Sequence, residues 1–361
     1  QNCIFNHTGS SIDNRMWKRG SGMWPFDCKN VVAQHNKFMN AHGPMDSYGS
    51  HIDYGNENVV FQYNYSYNNE GGFAEILGDN INCGYRYNIS VNDGFRQDPN
   101  GIPWDKKGKI FWVSNFCGQG PVRCPSVGTF IYNNTVFVND TLNPEIYFWP
   151  DIGDVHVYNN LIVVGQNGDI IPTLIENDFN DLYVSHNLFY DSSRIDLDSD
   201  LENNAIYGDP LLLNTVYFGE DNPLAYQIQN NSLAINNGFL INGSTDSTNY
   251  LEHNGGLDYF GNSVSHNFAS NIGAFNGTGT VDILEVKIDN IKLHPSVTHD
   301  FVNISIQNYS GPIKTEIYGL NGDFVVLKNG NRFSLKKYNP GIYYCVVIYE
   351  DKRRTFRVVK L

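Results

Sequence analysis

Three lines of this chain read alike: Asn30-Val-Val-Ala-Gln-His-Asn36, Asn58-Val-Val-Phe-Gln-Tyr-Asn64 and Asn82-Cys-Gly-Tyr-Arg-Tyr-Asn88. The pattern of β-branched or aromatic residues around an asparagine continues and places Asn at 36, 64, 88, 134, 160 and 187. The steps are 28, 24, 46, 26 and 27 residues, and the long one holds an insertion, residues 96–107 and 114–128. A repeat of this length is one unit that must stack on its neighbours to bury its apolar face. It fits the lap of a right-handed parallel β-helix, with three short strands per lap and a rise of about 4.8 Å. Asparagine at a recurrent corner can bond its neighbour's amide, and it tolerates left-handed turn geometry. A propeller or sandwich would need hairpin turns such as Asn-Gly, and few occur before residue 165.

The predicted fold is therefore all-β: a right-handed parallel β-helix over residues 1–276, then a linker at 277–280 and a small β-sandwich at 281–361. The first line, Asn2-Cys-Ile-Phe-Asn6, is already coil-like. An N-terminal cap and an export signal are expected to lie outside the chain. Residues 206–276 are irregular and are expected to close the solenoid end, whose backbone would otherwise be unpaired. No run of 18 apolar residues is present, so no transmembrane segment is expected.

The net charge is −14, divided as −18 over residues 1–280 and +4 over 281–361. An acidic body argues against nucleic acid. Within it, Arg86, Arg96, Lys106, Lys107, Lys109 and Arg123 form a local basic cluster that can attract an anionic ligand. Cys117 and Cys124 share a Gly/Pro-rich loop, where a disulfide or free thiols fit better than zinc, since no His lies near. The alternating acids of 191–205 suggest a calcium loop but lack its glycine. No cofactor is predicted, calcium being the one weighed.

Alternation places the chemistry. In His51-Ile52-Asp53 the apolar Ile52 faces the core, so His51 and Asp53 face out. In Phe73-Ala74-Glu75-Ile76 the outward residue is Glu75, and Lys109 and Glu145 are outward in their segments. Asp53 and Glu75 on adjacent laps are expected about 5 Å apart, a spacing that suits an acid/base pair in retaining glycoside hydrolysis. His51 is a candidate proton carrier. Asp46, Glu70 and Asp93 stand at turns leading into the same sheet. With Arg96, Trp104, Lys107, Lys109 and Trp112 they are the candidate substrate-binding residues. Tyr48, Phe116 and Trp149 would add flat faces for sugar rings, Trp17 and Trp24 would line the far end or lie in the core, and His42 is a second histidine to place.

Residues 20–115 resemble the catalytic coils of secreted right-handed β-helix polysaccharide-degrading enzymes of the fucanase and lyase kind. The lines that carry this are Gly20-Ser-Gly-Met-Trp24, Gly43-Pro-Met-Asp-Ser47, His51-Ile-Asp53, Asn69-Glu-Gly-Gly-Phe-Ala-Glu-Ile-Leu-Gly78, Tyr85-Arg-Tyr-Asn-Ile-Ser90 and Asn92-Asp-Gly-Phe-Arg96. Residues 281–361 resemble the sorting domain of type IX secretion through Leu293-His-Pro-Ser296, Ile317-Tyr-Gly-Leu-Asn-Gly322, Asn339-Pro-Gly-Ile-Tyr343 and the basic end from Arg353 to Lys360. The first of these stands where that family usually has Pro-Asn-Pro. The resemblances imply a monomer exported by the type IX machinery to the cell surface or beyond, acting on a sulfated or uronate-containing polysaccharide. The activity expected is endo-acting hydrolysis through Asp53 and Glu75. A lyase using His51, Lys107 and Arg96, with or without calcium, and a non-catalytic glycan-binding surface protein are the alternatives.

Overall fold

The computed structural model describes residues 1–9, 20–43, 45–96, 107–139, 141–164, 171–174, 181–190, 202–213, 220–243, 247–279, 291–306, 309–320, 322–349 and 352–361. The chain divides into two compact units, Gln1–Asp282 and Ile283–Leu361. It is all-β, with large parallel sheets.

In the first unit the chain visits three sheets in turn and pairs each strand in parallel with the strand one lap later. The seven-stranded sheet begins with Lys29–Gln34 and Glu57–Gln62. The eight-stranded sheet includes Lys37–Met39 and Tyr65–Tyr67. The five-stranded sheet holds Tyr48–Ile52, Gly72–Ile76, Lys109–Val113, Glu145–Phe148 and Ile171–Leu174. This is the pairing of a parallel β-solenoid. The inward residues, among them Phe38, Ile52, Val59, Phe61, Ala74, Ile76, Ile131 and Val136, form one continuous core. Each such aliphatic or aromatic side chain contributes about 1.5–3 kcal/mol by leaving water.

Asparagine organises all three corners of a lap, not one. At the first corner Asn36, Asn64, Asn88, Asn134, Asn160 and Asn187 form a buried column. Each passes its backbone N–H and side-chain amide to the next carbonyl, as in Asn64 N and Nδ2 to Asn88 Oδ1 at 2.9 and 3.0 Å. The residue before each is left-handed, for example Tyr63 at φ 56° and Tyr87 at φ 51°. That conformation turns the chain, so the asparagine points inward and satisfies backbone groups that no strand reaches. At the third corner Asn56 N donates to Asn80 Oδ1 and Asn80 N to Ser126 Oγ, while the two amides donate to backbone carbonyls. On the surface, Asn30, Asn58 and Asn82 occupy left-handed positions themselves and stack through their amides.

At the second corner the column runs from Asn69 to an acid. Asp93 Oδ1 accepts Asn69 N at 2.9 Å and Asn69 Nδ2 at 2.8 Å, and Oδ2 accepts Ser90 Oγ at 2.7 Å. Burial pushes its carboxyl up to about 7, against the pull of these donors. Asp93 is thus part of the frame, and the expectation that it binds substrate is corrected. Its folded-state pKa lies above that of an unfolded carboxylate, so the native chain keeps a proton that the unfolded chain has released. Stability is full below the unfolded value and falls as pH rises through the folded one. Asp93→Asn should remove that fall. Its Tm should match the native protein at about pH 4.5 and exceed it at about pH 8, which calorimetry at the two values checks.

The described residues of 209–279 run back along the flank of the solenoid. Their contacts fall on the outer faces of the eight- and seven-stranded sheets. Tyr65 donates to Glu220 O at 2.6 Å, Arg86 to His253 O, Asn82 to Thr248 O at 2.7 Å and Asn133 to Asn271 O at 2.7 Å. Tyr226, Ile241, Val264 and Ile272 pack on Tyr65, Phe130, Tyr132 and Leu161. These faces are themselves apolar and need a cover.

The second unit has a three-stranded antiparallel sheet and a five-stranded sheet around one core of Val302, Ile317, Phe333, Cys345, Val347 and Val358. Ile313–Gly319 and Phe324–Asn329 pair antiparallel.

Candidate active site

The outer face of the five-stranded sheet presents two rows of side chains. His51, Glu75, Trp112 and Tyr147 are level across four laps. Tyr48, Gly72, Lys109 and Glu145 form the second row. This face is largely buried: His51 is 5% exposed, Glu75 3%, Lys109 2% and Glu145 5%. Gly72 leaves a gap that the Tyr48 ring fills, since a Cβ there would meet that ring at 2.6 Å. The ring lies 6.2 Å from that of Trp112.

The register corrects the expected pairing. Ile52 is level with Ile76, so Asp53 and Glu75 stand on adjacent laps but two residues out of step. His51 lies between them. Its Nδ1 is 3.6 Å from Glu75 Oε2 and 3.0 Å from Ser21 Oγ, and its Nε2 is 3.8 Å from Asp53 Oδ2. Trp24, half exposed, stacks on the imidazole at 5.6 Å and 11°. Burial disfavours the charged ring, but Glu75, Asp53 and Asp46 together outweigh it and raise the His51 pKa. His51 therefore sits where three carboxylates favour its charged form. Glu75 is closed off beneath it, while Asp46 and Asp53 are half-buried and reach solvent. Asp53 Oδ1 also accepts the Tyr54 N–H at 2.9 Å.

The turn that carries Asp46 is heavily braced. Asp46 and Ser47 are both left-handed, at φ 45° and 63°. Such paired strain in non-glycine residues persists only where neighbours impose it. Arg96 Nη2 donates to Gly43 O at 2.7 Å and Asp46 O at 2.9 Å, and its Nε is 3.4 Å from Glu70 Oε1. Glu70 Oε2 accepts Gly43 N at 2.8 Å and lies 3.5 Å from His42 Nδ1. Gly71 is required beneath the turn, because a Cβ there would meet Asp46 O at 1.8 Å. Arg96 and Glu70 are thus positioning groups for this turn, and the fork of Arg96 is spent on backbone carbonyls rather than open to an anion.

Lys109 is likewise drawn in. Its Nζ donates to Lys107 O at 2.9 Å, lies 3.4 Å from Glu145 Oε2 and rests over the rings of Trp112 and Tyr147 at 5.7 and 5.4 Å. Lys107 Nζ, more open, is 3.6 Å from Glu145 Oε1. The candidates Trp104, Lys106 and Trp17, and residues 191–201 of the calcium loop weighed at 191–205, lie outside the described residues. Among the described residues no group of three or more His, Cys, Asp or Glu has a metal-binding arrangement. Cys117 and Cys124 are disulfide-bonded. Sequence reasoning passed over Ser21, and Tyr48, expected as an open face for a sugar ring, is buried. The signal for the true register was present, since the 24-residue step from Asn56 to Asn80 also carries His51 to Glu75.

No family model matches the chain, and no solved structure does. It is similar to a lacto-N-biosidase of Bifidobacterium longum subsp. longum, with 36% identity over 126 residues. The likeness covers 33% of this chain and only 6% of that enzyme's length. It supports a carbohydrate-active role.

Proposed function

We propose that the chain is a glycoside hydrolase whose acid and base are Asp46 and Asp53, with Glu75 and His51 behind them. The observation that carries this is the placing of Asp53 and Glu75 at one buried imidazole, with Asp46 in electrostatic reach of it and half-exposed Trp24 stacked on it. Hydrolysis needs two carboxyl groups that touch the sugar, one protonating the leaving oxygen and one serving as nucleophile or base. Asp46 and Asp53 are the two with access. Glu75 keeps His51 charged, and the charged ring holds the acids in place between turnovers. The partial likeness to a glycosidase supports the same reaction class. A lyase would need a neutral imidazole as base and a free cation to neutralise the uronate. The raised pKa of His51 and the engagement of Arg96 and Lys109 weigh against it.

The wider reading follows the sequence. We infer right-handed winding, the usual hand of parallel crossovers, and a secreted or surface-bound monomer whose second unit is a type IX sorting domain. The substrate is a polysaccharide carrying sulfate or uronate groups. The test is incubation with sulfated and uronate-bearing polysaccharides. New reducing ends without an unsaturated product are expected. Ultraviolet-absorbing unsaturated sugars would instead establish a lyase.

A further inference from the structure

Of the basic cluster read from the sequence, most members are held by the protein itself. Arg96 is engaged by Glu70, Lys107 and Lys109 by Glu145, and Arg86 donates to Gln62 and Tyr132. Arg123 differs. It is exposed, and among the described residues no carboxylate pairs with it. Among the described residues its Nη1 donates to carbonyls of its own loop, Gly120 O at 2.9 Å and Val122 O at 2.8 Å. The loop is closed by the Cys117–Cys124 disulfide and by a bridge between Phe116 and Arg123. The guanidinium rests against two rings, 6.0 Å from the centre of Phe116 and 5.8 Å from that of Trp149.

Those rings belong to a longer series. Phe26 packs edge-on to Tyr54 at 4.8 Å, and Tyr54 to Phe116 at 6.0 Å. Tyr54, Phe116 and Trp149 follow the first, third and fourth strands of the five-stranded sheet, the lap of Gly72–Ile76 between the first two adding no ring, and Tyr54 adjoins Asp53. Phe26 is 48% exposed. The series thus runs parallel to the stacking axis, starts beside the acids and ends at a cation. One lap rises about 4.8 Å, close to the length of one sugar unit in a chain. Aromatic faces receive sugar rings through their apolar C–H surfaces, and guanidinium forks bind sulfate or carboxylate.

We infer that this series is an extended glycan subsite running along the solenoid, and that Arg123, on its disulfide-closed loop, binds a sulfate or carboxylate group of the chain several sugar units from the acids. This rests on the hydrolase reading and assigns a residue to the charged group of its substrate. The probe is a sulfated fucan and its chemically desulfated form, each cast into native gels, with Kd taken from the retardation of the protein. The native protein should be retarded more strongly by the sulfated form. Arg123→Gln should weaken that binding about tenfold or more and leave retardation by the desulfated form unchanged. Tyr54→Ala should weaken both. Equal retardation of the native protein by the two forms, or none, overturns the subsite, as does Arg123→Gln binding sulfated chains like the native protein. Reducing-end release measured in parallel keeps the readings apart: hydrolysis of either polymer without sulfate-dependent binding removes the subsite and spares the hydrolase.

Discussion

Asp53→Asn and Asp46→Asn should each lower kcat/KM by about 10²- to 10⁴-fold, the range removed with a general acid or base. Both residues are half-buried, so any fall in Tm should be small and glycan binding in native gels should survive. Glu75→Gln should behave differently. It leaves both accessible acids in place but removes the largest of the charges that raise the His51 pKa. The imidazolium then loses its proton at lower pH. The alkaline limb of the pH–rate profile should move toward acid, with a smaller loss of rate, about tenfold. Rates measured across pH for the three variants separate these roles. A Glu75→Gln enzyme as dead as Asp53→Asn, with no displaced limb, would return the chemistry to Glu75. Full activity in Asp53→Asn would remove the hydrolase reading.

The largest loss of stability should come from Asn88→Ala. Four hydrogen bonds meet at this side chain. Its Oδ1 accepts Asn64 N and Nδ2, and its Nδ2 donates to Phe61 O and Asn134 Oδ1 at 2.9 and 3.0 Å. Truncation unpairs two buried N–H groups, one on Asn64 N and one of the two on Asn64 Nδ2, and a bond to the Phe61 carbonyl, at about 1–3 kcal/mol each. The total should approach about 4 kcal/mol, or a fall in Tm of about 10 °C. The surface column supplies the control. Asn58 makes amide contacts of the same kind at the rim, where water replaces what is lost. Asn58→Ala should cost about 1 kcal/mol or less. Equal losses at 58 and 88 would show that burial of the inner column is not what makes it matter.

The lap was legible because its corners repeat a residue with one job. Asn64, Asn88 and Asn134 each need a left-handed residue before them and an amide turned inward, and that requirement leaves its period in the sequence. The site was legible in its members more than in its pairing. Alternation alone put Asp53 and Glu75 on one face. Which outward residues are level depends on the residues used in the intervening corners, and there His51, not Asp53, meets Glu75. The basic cluster misled for a related reason. Composition shows Arg96 and Lys109 as charges, but their carboxylate partners, Glu70 and Glu145, come from neighbouring laps at separations no local pattern reveals. Residues 209–279 lack a period altogether, since a segment draped on an existing surface takes its shape from that surface.

That draped segment also sets a limit on how such a protein can vary. Repeat proteins usually grow or shrink by whole units, because each unit touches only the next. Here the returning chain is tied to Tyr65 through Glu220 and to Asn159 through Phe239, so it measures the distance between those points. A duplicated coil inserted between them would move the moorings apart by about 4.8 Å and leave the tether short. Coil number in this molecule is therefore set by a built-in ruler, and descendants of this design should differ in their side loops sooner than in their count of turns.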